Sequence, residues 1–119
     1  MSQFNSMDSN FYTKKDSTEL PLKVKLYDND CSTAFDLTGY TGKFYMSDED
    51  DYTDVKVDGS AVTVTSAEDG EAQYNWVAAD VDTIGRYRYE FEFTKAGKSF
   101  RIPVYSPGIV VITEKIGQL

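Results

Sequence analysis

The densest chemistry in this chain is the run Ser47-Asp48-Glu49-Asp50-Asp51-Tyr52-Thr53-Asp54, where acidic side chains crowd a polar segment. Calcium needs about six to eight oxygens, and clustered loop carboxylates can supply them. A twelve-residue calcium loop begun at Asp48 would draw on Asp48, Asp50 and Asp54. Its spacing fails twice. Thr53 stands where the tight turn needs glycine, and Gly59 stands where the last, bidentate carboxylate belongs. The run therefore reads as a solvated loop, with no metal expected and these three aspartates as the ligand candidates.

The second candidate is the segment GRYRYEFEFTKAG, from Gly85 to Gly97. Tyr87, Tyr89, Phe91 and Phe93 alternate with Arg86, Arg88, Glu90 and Glu92. Four rings beside two arginines suit a stacking platform for bases or sugars, of the kind found in RNA-recognition folds. The same alternation suits one buried face of a sheet. Three observations favour burial. No helical segments accompany the run, the two glutamates neutralise the two arginines on their own face, and apolar neighbouring strands are available to cover the rings. Fully burying each ring contributes about 2–3 kcal/mol, so the row is a large part of a small core.

Catalytic groupings are scarce. The chain has no histidine, which removes the commonest general base and metal ligand. Nothing marks any pair of carboxylates as lying across a cleft, and no glycine-rich phosphate loop is present. Cys31 is the one cysteine. It excludes an internal disulfide and has no histidine or second thiol to activate it. Trp76 would suit sugar stacking, but it shares a face with Ala72 and Tyr74 in a strand pattern and reads as core. No enzymatic activity and no cofactor are expected.

The elements that must carry these residues are strands. The chain has 119 residues, enough for one ordinary domain. With 20 Asp+Glu against 12 Lys+Arg and a net charge of −8, a general attraction to nucleic acid or an anionic membrane is not expected. Acidic residues dominate from Asp28 to Asp82, and basic ones from Arg86 to Arg101. The N-terminus lacks the basic start and apolar run of a secretory signal, and no apolar window would span a membrane. Synthesis in the cytoplasm is the expectation.

Residues 1–10 read as a flexible polar arm and 114–119 as a tail. Between them, short apolar–polar alternations are separated by turn signals. ELPLKVKLYD places Leu20, Leu22, Val24 and Leu26 on one face. YTGKFYMS turns Tyr40, Gly42, Phe44 and Met46 inward. DVKVDGSAVTVTS reads as a hairpin: Val55 and Val57, a turn at Asp58-Gly59, then Val62 and Val64. GEAQYNWVA turns Ala72, Tyr74 and Trp76 inward, and KSFRIPVY does so with Phe100, Ile102 and Val104. Pro103 marks the latter strand as an edge or as bent. GIVVITEK is apolar on both faces, as a central or covered strand would be. The expected core is Leu22, Val24, Leu26, Phe44, Val64, Tyr74, Trp76, Tyr89, Phe91, Phe93, Phe100 and Ile102. The expected fold is an all-β, immunoglobulin-like sandwich of seven to nine antiparallel strands over residues 11–113, without a disulfide. Within it, Tyr87 in DTIGRYRY takes the place of a tyrosine corner, whose hydroxyl bonds back to the backbone just upstream.

The order of features resembles the N-terminal domain of phage baseplate upper proteins and related immunoglobulin-like phage modules. The matching stretches are NFYTKKDSTELPLKVKLYDND, AFDLTGYTGKFYM, DGEAQYNWVAADVDTIGRYRYEFEFTKAGKSFRIPV and GIVVI. Asp36-Leu37-Thr38-Gly39, Gly70, Tyr74, Trp76, Gly85, Tyr87, Phe91 and Gly108 occupy that family's steps. The resemblance implies a virion structural protein, carried on the particle as a homo-oligomer, that docks on capsid, tail or baseplate subunits and does no chemistry. Baseplate upper proteins continue beyond this domain, whereas the present sequence stops at Leu119, so the expectation is a capsid decoration protein, a head-tail or baseplate accessory, or a fibre anchor. The alternative from a different class is a carbohydrate-binding module, reading a cell-surface glycan through exposed Tyr45, Tyr52 or Tyr105.

Overall fold

A computed structural model describes residues 10–28, 32–103 and 108–116. Eight strands follow in chain order: β1 (Asn10–Lys14), β2 (Leu22–Lys25), β3 (Thr41–Asp48), β4 (Val55–Ser66), β5 (Glu71–Tyr74), β6 (Gly85–Lys95), β7 (Lys98–Ile102) and β8 (Gly108–Thr113). A 3-10 turn, Ala78–Asp80, lies between β5 and β6. The strands form one mixed sheet in the order β1-β8-β6-β3-β4-β5-β2, with β7 beside β6, curled into a nearly closed, barrel-like shell. The class is all-β.

β6 is the spine. β3 lies antiparallel along one edge, from Thr41 opposite Thr94 to Asp48 opposite Tyr87. The other edge is shared by two shorter strands. β8 pairs with Gly85–Tyr89, and β7 with Phe91–Lys95. β7 turns back from β6 through Ala96-Gly97 and stops at Ile102, before Pro103, which has no N–H to offer a ladder. β8 resumes further along and sits between β6 and β1, so the apolar character of both its faces belongs to an internal strand.

The structure corrects three features of the strand pattern. First, the strands are not all antiparallel: β1 runs parallel to β8, from Asn10 opposite Ile109 to Lys14 opposite Thr113. Parallel neighbours need a long connection, and here the whole chain between β1 and β8 provides it. Asn10 is thus a strand residue rather than part of an arm, and residues 1–9 lie outside those described. Second, Asp58-Gly59 is not a hairpin turn. β4 is a single strand of 12 residues whose first part pairs with β3 and whose last part pairs with β5. Opposite β3, Ser60 faces Phe44 and Asp58 faces Tyr45, which leaves Gly59, at φ +80°, as the extra residue of a bulge. The positive φ that suits Asp-Gly to a tight turn serves equally to bend one strand between two sets of neighbours. Third, Leu20 precedes β2 and is 73% exposed, because the ladder with β5 begins at Leu22.

The interior is aromatic. Leu22, Val24, Leu26, Phe44, Tyr74, Trp76, Tyr87, Tyr89, Phe91, Phe93 and Ile102 are all buried, together with Leu37, Met46, Val57, Val81, Val110 and Ile112. Val64 and Phe100 are only partly buried and pack against the margin of this cluster. Val64 belongs to the far part of β4, and Phe100 to β7, which pairs with β6 alone. Val104 lies outside the described residues. Phe44 and Tyr74 stack at 4.2 Å between centroids, and Trp76 meets both rings edge-on. The Asp36-Leu37-Thr38-Gly39 step closes locally, Asp36 accepting from the Thr38 amide at 2.9 Å and its hydroxyl at 2.6 Å, while Leu37 plugs the core.

Asp80 is a buried charged residue amid this cluster, and its carboxylate accepts from the Tyr74 hydroxyl at 2.6 Å and from the Val77 amide at 3.0 Å. Burial, followed by the hydrogen bond to Asp80 and its charge, pushes the Tyr74 phenol well above its ordinary value of 10.0. A raised folded-state value means that this contribution to stability is complete below 10.0 and is lost as pH climbs toward the folded value. The expected outcome is alkaline unfolding in which Tyr74 ionises only as the fold opens, read from phenolate absorbance alongside circular dichroism. A native protein with every tyrosine ionised would contradict it. Gly108 faces the Tyr89 ring so closely that an added Cβ would lie 2.4 Å from it. Gly108→Ala should therefore cost about 1–3 kcal/mol through overpacking, measured as a fall in the denaturant midpoint.

Candidate functional site

Because β6 turns its rings inward, Arg86, Arg88, Glu90 and Glu92 form a polar row on the outer face. Their partners are not each other. Arg86 reaches Glu49 in the acidic loop through Nε at 2.9 Å and Nη2 at 3.3 Å. Arg88 donates from Nε to the Glu49 carbonyl at 3.0 Å and from Nη1 to the Tyr52 hydroxyl at 2.6 Å. Glu90 and Glu92 instead receive Arg101 from β7, at 2.9 Å and 3.5 Å. Neutralisation within the strand, as the alternation suggested, is thus replaced by neutralisation across strands. Extended side chains on one strand point side by side, whereas a neighbouring strand or loop brings its charge over the top.

The acidic loop is folded by its own carboxylates. Asp48 accepts from the Asp50 amide, and Asp51 accepts from the amide and hydroxyl of Thr53. The Asp48 amide donates to the Asp54 carbonyl at 3.0 Å, which closes the loop at its base. Asp48 ends β3 and Asp50 and Asp54 lie in the loop that follows, yet among the described residues no group of three or more acidic or thiol side chains is placed to hold a metal ion.

Two of the three tyrosines singled out in the sequence come together. Tyr45 and Tyr52 line a groove of about 360 Å³ on the outer face, with Ser47, Val55, Asp58, Arg88, Glu90, Arg101 and Pro103 also on its walls. The Arg101 guanidinium lies 4.3 Å from the centre of the Tyr45 ring, and that of Arg88 4.9 Å from the centre of the Tyr52 ring. Tyr45 also donates to Glu92 at 3.2 Å. Tyr52 is 66% exposed. Tyr105 and Cys31 lie outside the described residues. Trp76 is buried between Phe11, Phe44 and Tyr74, far from a stacking role on the surface. The sequence alone did not bring Arg101, Asp58 and Val55 to this place. Only Arg101 stood at an outward position in the sequence pattern. Asp58 read as a turn residue and Val55 shared the parity of buried Val57, and it is the register shifts of β4 on β3 and the register of β7 on β6 that bring them here.

Tyr87 is buried on the inner face of β6, and its hydroxyl donates to the Thr83 carbonyl at 2.9 Å, four residues upstream. Burial pushes its phenol above the ordinary value, and nearby Asp48, Asp82 and Asp54 add to the rise. On β2, β4 and β5, Lys23, Lys25, Thr65, Glu71 and Gln73 line a second, non-aromatic hollow. Among the described residues, no helix is long and apolar enough to cross a membrane. No protein-family model matches the chain, and no curated protein matches its sequence.

The Arg86 hydrogen bond, helped by the charges of Arg86 and Arg88, holds the Glu49 carboxyl below its ordinary value of 4.5. A depressed value means that the clamp is complete above 4.5 and is lost as pH falls through the folded value. Exposed pairs add little to global stability, so the effect should be local. The protection of the Asp50–Asp54 amides, taken relative to their intrinsic exchange rates, should fall on acidification before the fold opens, and Arg86→Gln should remove that pH step. Exchange that follows global unfolding at every pH would rule out the clamp.

Proposed function

We propose that the chain is a non-enzymatic structural module of a bacteriophage virion, an immunoglobulin-like β-sandwich that works by docking on other virion proteins. The observation that carries this reading is the strand order. β4 passes midway from β3 to β5, which supports reading the curled sheet as a larger layer, β1-β8-β6-β3-β4, and a smaller one, β4-β5-β2. Immunoglobulin-type sandwiches divide their strands in a comparable way between two layers facing a common core. The Tyr87–Thr83 hydrogen bond has the form of a tyrosine corner in such domains. The resemblance to baseplate upper proteins, through Asp36-Leu37-Thr38-Gly39, Gly70, Tyr74, Trp76, Gly85, Tyr87, Phe91 and Gly108, points from the sandwich to the particle.

Docking is assigned to the outer edge of β1. Among the described residues, β1 and β2 end the sheet, and β7, paired with β6 alone, leaves a further edge that Lys98 and Arg101 guard. An open edge is a ready template for another chain's strand. The β2 edge follows Pro21 and carries Lys23 and Lys25, which discourage pairing. β1, Asn-Phe-Tyr-Thr-Lys, has no such guard until its last residue, and Tyr12 stands 69% exposed upon it. Its partners are capsid, tail or baseplate subunits and further copies of the chain, with no role for nucleic acid or membrane.

Mass spectrometry of purified particles tests this reading, and the chain should be found in them at stoichiometric level. Hydrogen exchange then tests the edge: the amides of Asn10–Lys14 should exchange more slowly in particles than in the isolated chain. Absence from particles overturns the virion reading, and unchanged exchange overturns the assigned edge.

A further inference from the structure

The groove between Tyr45 and Tyr52 is left unexplained by docking through β1. Its polar groups are mixed in sign: Arg88 and Arg101 are cationic, Asp58 and Glu90 anionic. The two arginines are oriented by their existing partners, Arg88 by Tyr52 and the Glu49 carbonyl, and Arg101 by Glu90 and Glu92. Any ligand with a net charge would meet a like charge within the groove. A group that both donates and accepts at adjacent atoms meets no such penalty, because a hydroxyl donates to a carboxylate and accepts from a guanidinium.

The two rings differ in what they offer. Tyr45 is only partly exposed, carries Arg101 against its ring and spends its hydroxyl on Glu92, so it acts as a wall. Tyr52 stands 66% exposed beside Val55, itself 48% exposed; Arg88 fixes its hydroxyl and lies 4.9 Å from the ring centre, against one side of the ring. The face of such a ring turned away from its arginine attracts the polarised C–H groups of an alicyclic ligand, through the negative face of its quadrupole. A space of about 360 Å³ falls at the small end of ligand sites.

We infer that this groove binds a neutral pyranoside sugar, stacked on Tyr52 and hydrogen-bonded through its hydroxyls to the Arg88, Arg101, Glu90 and Asp58 side chains. The site is independent of the virion reading, since it lies on the outer face of β3, β4 and β6 and not on the β1 edge.

Saturation-transfer NMR on the full chain tests it, with millimolar methyl glucoside, methyl galactoside and methyl mannoside as probes. Glucuronic acid and N-acetylneuraminic acid serve as charged counterparts. Transfer is expected to at least one neutral pyranoside and to be weaker for both acids. Tyr52→Ala should abolish it, Tyr52→Trp should keep it, and Tyr12→Ala, at an exposed tyrosine outside the groove, should leave it unchanged. An amide correlation spectrum checks that each variant keeps the fold. The inference is overturned by no transfer to any neutral probe, by transfer that survives Tyr52→Ala, by loss in a folded Tyr52→Trp, or by stronger transfer to the acids. Loss in a folded Tyr12→Ala moves the site to β1 and overturns it as well.

Discussion

The stacked pair Phe44–Tyr74 is the contact on which the rest of the molecule depends. The rings lie 4.2 Å apart and 10° from parallel, one from β3 and the other from β5, strands that are not neighbours in the sheet. The stack therefore crosses the interior and joins the two ends of β4. Tyr89 and Phe91 close on Phe44 from β6, and Trp76 meets Phe44 and Tyr74 edge-on while Phe11 of β1 covers it. Four strands thus meet in one aromatic cluster. Such pairs add about 0.5–1.5 kcal/mol each beyond the area they bury. The polar end of Tyr74 is accommodated by Asp80, so the ring can stay inside without an orphaned hydroxyl.

The outer surface follows from that choice. Side chains alternate along a strand, so fixing Tyr87, Tyr89, Phe91 and Phe93 inward fixes Arg86, Arg88, Glu90 and Glu92 outward. These four charges are then used as a scaffold. Two hold the acidic loop and its Tyr52 in place, and two hold Arg101 over Tyr45. An aromatic core row and a groove lined by tyrosine and arginine are therefore two faces of one strand. The stacking platform that the alternation could have offered is interior, while the polar outer surface is built from the residues between its rings.

Local pattern was enough to read the inward faces of β2, β3, β5 and β6, since each is an unbroken alternation. It misled where a local signal has two physical outcomes. Asp58-Gly59 supplies a positive φ, which serves a hairpin or a bulge equally well, and only the long-range pairing with Tyr45 and Phe44 selects the bulge. Asn10–Lys14 has too few apolar residues to declare itself, and becomes a strand because β8 is there to pair with it. The groove was hidden for the same reason. Arg101 lies far in sequence from Tyr45 and Tyr52 and meets them through the registers of β3 and β7 on β6. The loop carboxylates had the composition of a metal site, but the turn geometry spends Asp48 and Asp51 on backbone amides.

A double-mutant cycle across Phe44 and Tyr74 is the most direct test of this account. Phe44→Leu, Tyr74→Leu and the double variant would each be unfolded in denaturant and their stabilities compared. If the stack ties the two ends of β4 together, the double variant should lose less than the sum of the single losses, with a coupling of about 0.5–1.5 kcal/mol. Strictly additive losses would contradict it, and would mean that the two rings are buried side by side without holding the sheet together.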